Sequence, residues 1–197
     1  MAGERARGGA AGKRYDRAYF DRWYRDPASR VADARSVARK ASLALSAAEY
    51  LLERPVRTVL DVGCGEGNWG VALRRLRPEL HYTGVDDSAY VVRRFGRRRN
   101  IVRGSVGTLG ELALDGPFDL VVCCDVLHYV PAGELARGLP ALGALVGEGA
   151  AYIEFFTSAD SVEGDMRGFL RRSPSFYERA LGRAGLEACG LNVYVAR

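Results

Sequence analysis

Acidic and glycine residues at the ends of apolar runs are the residues of this chain whose types and spacing could do chemistry. The run Val59–Val62 contains Asp61, and Gly63, Gly65 and Gly67 follow it before a helical pattern begins. A strand, a glycine turn and a helix N-terminus together direct backbone N–H groups at a nucleotide-like ligand. The stretch therefore predicts a binding turn for such a ligand.

The spacing of these glycines separates two classes of ligand. Dinucleotide-binding turns follow the pattern G-x-G-x-x-G. Here Gly63, Gly65 and Gly67 give G-x-G-x-G, and Asn68 stands where the third glycine of the dinucleotide pattern would be. This spacing makes a nicotinamide-dependent dehydrogenase the weakest of the functions considered.

A second acidic pair, Asp86 and Asp87, follows the next apolar run. Asp86 comes after Gly63 at about the distance that separates the glycine turn from the ribose-binding acid in nucleotide folds. A carboxylate can accept hydrogen bonds from two hydroxyl groups at once. The alternative role for Asp86 is to cap the next helix, which Ser88 could do equally well.

The string Leu60-Asp61-Val62-Gly63-Cys64-Gly65-Glu66-Gly67 resembles motif I of the class I S-adenosylmethionine (SAM)-dependent methyltransferases. The resemblance implies SAM as cofactor, S-adenosylhomocysteine as product, and Asp86 on the ribose with Asp87 beside the adenine. After the third strand the family often has an aspartate for the adenine, whereas this chain has Gly104-Ser105-Val106. The implied cofactor residues are Asp61, Gly63, Cys64, Gly65, Asn68, Trp69, Asp86, Asp87, Ser105, Val106, Cys124 and Asp125.

The segment Cys123–Val130 resembles the family's motif after the fourth strand, which meets the methionine end of SAM and the acceptor. Asp125 and His128 are the candidate catalytic residues in it. Only two histidines occur, and His81 precedes the second strand, at the wrong edge of the sheet. Histidine is the side chain that most often accepts a proton near neutral pH. Packing of His128 against the cofactor is the alternative.

The candidate acceptor residues are mostly aromatic. Tyr15, Tyr19 and Trp23 recur every four residues, which places them on one face of a helix. In many small-molecule methyltransferases N-terminal helices cover the cofactor and form a wall of the acceptor pocket, so the resemblance implies such a lid. Tyr129 and Glu154 complete the candidate set. For the N-terminal aromatic residues, packing of this helix face on the core is the alternative. For Glu154 the alternative is a polar residue at the sheet edge or under a helix.

Composition limits the classes of protein that the chain could belong to. It has 197 residues, a net charge of +5 and no apolar run long enough for a membrane span, so we expect one α/β domain. Three of its cysteines lie in or beside predicted buried strands, which favours a reduced, cytoplasmic setting. Its four cysteines form no C-x-x-C pair, so we expect no metal site. The arginine clusters at 74–77 and 93–99 could contact nucleic acid, but no aromatic residues interleave them, which favours solvated helix faces.

The elements that must position these residues alternate between strands and helices. Strands are predicted at 58–62, 82–85, 100–103, 118–124, 150–156, 186–189 and 193–196, and helices at 68–77, 88–97, 131–145 and 174–184. A further long helix is predicted to start at Asp26-Pro27 and end at Pro55. Ser175 and Glu178 have the spacing of a capping box.

This alternation predicts a Rossmann-like doubly wound sheet, mostly parallel, with the ligand at the carboxyl ends of the strands. The resemblance adds seven strands and an antiparallel C-terminal hairpin. We predict a disordered tail at 1–13, a helical cover at 14–54 and the SAM-binding domain at 55–197, with 14–54 part of the same structural unit.

The resemblance predicts transfer of a methyl group from SAM to an O or N atom of a small-molecule acceptor. Two alternatives stay open: a methyltransferase acting on RNA or protein, and a SAM-binding protein without catalytic activity. We expect no nucleic-acid or membrane partner and either a monomer or a homodimer.

Overall fold

A seven-stranded sheet forms the centre of the computed structural model, which describes residues 13–31 and 33–197. The order across the sheet is β3-β2-β1-β4-β5-β7-β6. Strands β1 to β5 pair in parallel, and β7 pairs antiparallel with both β5 and β6. The strands are β1 Thr58–Val62, β2 His81–Asp86, β3 Ile101–Arg103, β4 Leu120–Cys124, β5 Ala150–Glu154, β6 Leu186–Gly190 and β7 Val193–Ala196.

This topology confirms the predicted Rossmann-like, mostly parallel sheet with an antiparallel C-terminal hairpin. The predicted ranges of β1 and β7 are confirmed to the residue. Strands β4 and β5 are each two residues shorter than predicted, at the start of β4 and at the end of β5.

Helices cover both faces of the sheet. They are α1 Arg17–Phe20, α2 Ala34–Leu52, α3 Asn68–Leu76, α4 Ala89–Arg99, α5 Ala132–Val146 and α6 Pro174–Arg183. Helices α2 and α3 pack on one face, where Leu120 and Val122 of β4 are buried, and α5 and α6 pack on the other, over Val121 and Cys123. Because both faces of β4 are covered, its apolar residues are continuous rather than alternating.

The predicted start of the long helix at Asp26-Pro27 is wrong. Asp26 closes a separate turn, in which its carboxylate accepts hydrogen bonds from Ala28 N and Ser29 Oγ at 3.0 and 2.7 Å. Helix α2 begins at Ala34, where the side chain of Asp33 caps Ser36 N at 2.7 Å. Both aspartates can cap a helix, and only the second is followed by a continuous helical segment.

The predicted single aromatic face over Tyr15, Tyr19 and Trp23 is also wrong in part. Helix α1 passes into one π-helical turn at Asp21–Arg25, closed by Asp26 N donating to Asp21 O. A π turn takes in one more residue than an α turn. Tyr24 therefore contacts the ring of Phe20, with ring centroids 4.9 Å apart. Trp23 lines the smaller of two cavities at the carboxyl ends of the strands, which are described below.

Helix α6 begins at Pro174, as predicted, but its N-cap is Ser173, two residues before the Ser175 of the predicted capping box. The side chain of Ser173 caps Phe176 N at 3.3 Å, and Pro174 occupies the first helical position. Proline fits there because the first helical N–H has no partner within the helix.

Most of the predicted tail lies outside the described residues, which begin at Lys13. The side chain of Lys13 is itself 4% exposed. None of the described helices is long and apolar enough to cross a membrane.

Candidate active site

The glycine turn between β1 and α3 is in close contact with two neighbouring segments. Gly63, Gly65 and Gly67 have φ values of 73, 52 and 77°, a conformation that glycine adopts without strain. A Cβ atom on Gly63 would lie 2.3 Å from Val126 Cγ2, and one on Gly65 would lie 2.3 Å from the hydroxyl of Tyr24. Two of the three glycines are therefore needed for space as well as for backbone conformation.

Asp86, at the carboxyl end of β2, holds the glycine turn in place. Its Oδ2 accepts a hydrogen bond from Gly65 N at 2.8 Å, and its Oδ1 accepts one from Ser88 N at 2.9 Å. Burial raises the pKa of Asp86, although these two backbone hydrogen bonds act in the opposite direction. Each carboxylate oxygen has a further lone pair, so the side chain can still accept from two hydroxyl groups of a ligand.

Ser88, the alternative cap, does cap the next helix. Its hydroxyl oxygen accepts from Val91 N at 3.1 Å and donates to Tyr15 O at 2.5 Å. One side chain thus caps α4 and ties the N-terminal segment to the sheet edge.

A cavity of about 740 Å³ opens at the carboxyl ends of the parallel strands. The glycine turn and the end of β2 form one wall, and the N-terminal aromatic residues form another. The predicted site residues that line it are Tyr15, Tyr19, Gly63, Gly65, Asp86, Asp87, Ser105, Val106, Cys124, Asp125 and Tyr129. Its size is typical of a cofactor pocket.

A smaller cavity of about 180 Å³ adjoins the larger one, and Gly63, Cys124, Asp125 and Tyr129 line both. The predicted residues that line only the smaller cavity are Trp23, Asp61, Cys64, Asn68, Trp69 and Glu154. The fold therefore brings residues from the N-terminal segment and from the carboxyl ends of five strands, β1 to β5, to one place.

His128 is the one candidate site residue that lines neither cavity. It is fully buried; Phe156 N donates to its Nδ1 at 3.2 Å. Its Nε2 lies 3.2 Å from Asp125 Oδ1, but the angles of that contact are not those of a hydrogen bond, and no other described residue supplies a partner. Because Nδ1 accepts, the proton of a neutral ring is on Nε2, facing Asp125.

Glu154, at the end of β5, is the centre of a polar network in the smaller cavity. It forms an ion pair with Lys40 of α2 and accepts a hydrogen bond from the hydroxyl of Tyr152 at 2.9 Å. Burial disfavours the charge of Lys40, but Cys124 and Glu154 outweigh that effect and raise its pKa. Glu154 is thereby held by the helix that covers it.

Asp61 is 1% exposed and accepts a hydrogen bond from the hydroxyl of Tyr82 at 2.7 Å. Burial raises the pKa of Asp61 to about 7, with Tyr82 acting in the opposite direction. A carboxylate so deeply buried is unusual outside functional sites.

Sequence reasoning missed two residues that line or adjoin these cavities, namely Lys13 and Lys40. Lys40 could have been found, because it is a cation next to the buried face of α2 that contains Ala41 and Ala44. Lys13 has no such local signal. Tyr24 belongs to the aromatic segment that the resemblance implies as a lid, and it lines both cavities.

Residues 60–152 match the family described as "Methyltransferase domain". The chain is 31% identical over 110 residues to trans-aconitate 2-methyltransferase of Deinococcus radiodurans, covering 55% of this chain and 40% of that protein. It is 36% identical over 107 residues to ribosomal RNA large subunit methyltransferase G of Pseudomonas fluorescens, covering 48% of this chain and 28% of that protein. The chain thus spans less than half the length of these relatives.

Among solved structures, the sugar N-methyltransferase of a Streptoalloteichus species superposes with a TM-score of 0.66 at 21% identity, covering 100% of this chain and 98% of that one. At that identity the likeness concerns the fold alone.

The sheet order, the glycine turn and the acid at the end of β2 define a class I SAM-dependent methyltransferase fold. The domain matched over residues 60–152 and the fold support a class I SAM-dependent methyltransferase, with SAM as the cofactor. The residues present fit that cofactor, because the cavity is large enough and Asp86 retains lone pairs for two hydroxyl groups.

Proposed function

We propose that this protein transfers the methyl group of SAM to an oxygen or nitrogen atom of a small-molecule acceptor. The observation that carries the proposal is the pair of adjoining cavities, which connect the glycine turn and Asp86 to a chamber bounded by aromatic residues of the N-terminal segment. Bound SAM supplies a methyl group activated by its sulfonium.

Residues of the chain bind the two reactants and exclude water. Gly63 and Gly65 line the larger cavity, and Asp86 is placed to accept from the ribose hydroxyls. Tyr15, Tyr19 and Tyr24 cover the larger cavity. Holding the acceptor in line with the methyl group accounts for a large part of the rate in such a displacement.

Asp125 is proposed to orient the acceptor, because it lines both cavities at their junction. His128 lies behind it, with Nε2 3.2 Å from Asp125 Oδ1. This geometry favours His128 as a positioning residue that acts through Asp125. Glu154 is proposed as a further polar contact for the acceptor, from the smaller cavity.

A small acceptor is favoured over RNA by the way the site is closed. The N-terminal segment lies across the larger cavity, with the Tyr24 hydroxyl against Gly65. Part of the arginine cluster at 93–99 is engaged within the protein, since Arg94, Arg98 and Arg99 surround the ring of Phe95.

Calorimetric titration with SAM, followed by a methyl-transfer assay, tests the proposal. We expect the Asp86→Ala variant to bind SAM at least 10-fold more weakly, because it loses a charge-assisted contact to the ribose. Asp115→Ala is the matched control, since Asp115 is exposed and lines neither cavity. Equal affinity of the wild type and Asp86→Ala would reject the ribose assignment.

The methyl-transfer assay uses isotopically labelled SAM and panels of small amines, small alcohols, phenols and ribosomal RNA fragments. Label in a small molecule supports the proposal. Label found only in RNA, or SAM binding with no transfer to any panel, would favour one of the two alternatives instead.

A further inference from the structure

The side chain of Lys13 occupies a cage of aromatic rings. Its ammonium lies 3.6 Å from the centroid of the Tyr129 ring and 5.2 and 5.4 Å from those of Tyr15 and Tyr19. Tyr15 and Tyr19 meet edge to face, with centroids 5.0 Å apart. Rings placed in this way attract a cation through their negative faces, and the attraction strengthens when water is excluded.

Carboxylates complete the cage. Asp165 Oδ2 lies 2.7 Å from the Lys13 ammonium, an ion pair in which the side chains are only 12 and 4% exposed. The hydroxyl of Tyr129 donates to Asp165 O at 2.7 Å, which fixes the ring and the carboxylate relative to each other.

Asp165 is the one polar partner of the ammonium among the described residues, and Lys13 Nζ makes no contact there with full hydrogen-bond geometry. Burial lowers the pKa of Lys13, and the contact with Asp165 and the charge of Asp125 oppose that effect. The surroundings are therefore suited to a positive charge, which they hold through one ion pair and the faces of the rings.

The cage belongs to the walls of the proposed active site. Tyr15, Tyr19 and Tyr129 all line the larger cavity, and Tyr129 and Asp165 line the smaller one. Asp125, at the junction of the cavities, is close enough to affect the charge of Lys13. An occupant of the cage thus lies beside the residue proposed to orient the acceptor.

We propose that this cage of Tyr15, Tyr19, Tyr129 and Asp165 is the binding site for an alkylammonium group of the acceptor, and that the Lys13 side chain fills it when no acceptor is bound. The inference rests on the proposed methyltransferase function and narrows it to N-methylation of an amine.

The chemistry of an amine acceptor suits the cage at each stage. The bound ammonium gives one proton to a carboxylate of the site, which frees the nitrogen lone pair. That lone pair forms the new N–C bond to the methyl carbon, the C–S bond breaks, and sulfur keeps its electron pair as neutral S-adenosylhomocysteine. The nitrogen becomes positive as the bond forms, so the rings and Asp165 stabilise the transition state more than the neutral amine.

The test measures binding of n-butylammonium, which matches the lysine side chain, against 1-butanol of similar size. Titrations followed by NMR of the tyrosine rings compare the wild type with Lys13→Ala, which empties the cage, and Lys13→Arg, which keeps a cation there. We expect Lys13→Ala to bind n-butylammonium at least 10-fold more tightly than it binds 1-butanol. The wild type and Lys13→Arg should bind it at least 10-fold more weakly than Lys13→Ala does.

A second variant keeps the test independent of folding. Adding Asp165→Asn to Lys13→Ala should weaken n-butylammonium binding at least 10-fold while leaving the melting temperature within a few degrees. Equal binding of the amine and the alcohol, or no binding of n-butylammonium by folded Lys13→Ala, would overturn the inference. Methylation of alcohols or phenols but of no amine would overturn it as well.

Calorimetry with S-adenosylhomocysteine separates this inference from the proposed function. A protein that binds S-adenosylhomocysteine but not n-butylammonium has the cofactor site without the cage. Binding of n-butylammonium without S-adenosylhomocysteine would instead reject the methyltransferase proposal, on which N-methylation depends.

Discussion

Asp125 has a φ of 64°, a left-handed conformation that is uncommon for a residue other than glycine. Its amide donates to Glu154 O at 2.9 Å, which anchors the end of β4 to β5. Such strained positions concentrate at functional sites. The conformation and the location of Asp125 at the junction of both cavities support its proposed role with the acceptor.

His128 offers a test of that role. We expect His128→Phe to lower kcat about 10- to 100-fold, because Asp125 loses the group that faces it and small displacements of catalytic groups are costly. Affinity for SAM should stay the same, since His128 lines neither cavity. Steady-state kinetics and calorimetry measure the two effects.

His128→Gln is the matched variant, because an amide can donate toward Asp125 and accept from Phe156 N. Near wild-type turnover in His128→Gln supports a positioning role. If the His128→Gln and His128→Phe variants are equally inactive, the imidazole itself moves a proton. Unchanged turnover in both variants would exclude both the positioning role and the proton-transfer role.

At the scale of elements, α5 fixes one wall of the larger cavity. A short 3₁₀ segment, Val106–Glu111, follows β3, and Gly138 of α5 lies against it. A Cβ on Gly138 would lie 1.8 Å from Val106 O, which is backbone and cannot rotate away. Ser105 and Val106, the predicted adenine contacts, are thus positioned by the close approach of a helix.

Gly138→Ala should therefore destabilise the protein by about 1–3 kcal/mol or more through overpacking. It should also weaken SAM binding, because the segment at Val106 must shift. Urea unfolding and calorimetry measure these changes.

Gly182→Ala in α6 is the control, since a Cβ there would meet nothing within 4 Å. Alanine is the better helix former, so this variant should be more stable by up to about 1 kcal/mol. Equal stability of Gly138→Ala and wild type would show that α5 can move away from the 3₁₀ segment without cost.

At the scale of the whole molecule, the buried carboxyl of Asp61 links global stability to pH. Its pKa is about 7 in the folded protein, against a model-compound value of 3.8. Between these values the folded state binds more protons at this group than the unfolded state does. The contribution of Asp61 to the free energy of unfolding therefore decreases as pH rises from about 4 to about 7, and is constant above that.

Asp61→Asn removes this dependence. The free energy of unfolding of the variant minus that of the wild type should increase by about 4 kcal/mol from pH 4 to pH 8. Urea unfolding at each pH measures this difference. The exposed Asp115→Asn is the control and should show no such trend. If the difference in the free energy of unfolding between Asp61→Asn and the wild type does not change with pH, Asp61 keeps an ordinary carboxyl titration.

The fold and the position of the ligand site could be predicted because the sequence signals for them are local. The glycine spacing at 63–67, the acid at the end of β2 and the apolar run of β4 depend on residues close together in sequence. The βα alternation then predicts a parallel sheet with its ligand at the carboxyl ends of the strands. The start of α2 was missed because Asp26 and Asp33 have equal capping ability, and only packing decides between them.

The sequence by itself determined the fold, the cofactor class and most of the residues named here that line the two cavities. The tertiary structure alone decided that Lys13 enters an aromatic cage, that Lys40 pairs with Glu154 and that His128 stands behind Asp125. The physical reason is that Lys40 and Glu154, and Lys13 and Tyr129, are more than 100 residues apart in the chain. Such contacts depend on the order of the strands and on how the N-terminal segment packs across them. Local sequence patterns predict neither of these.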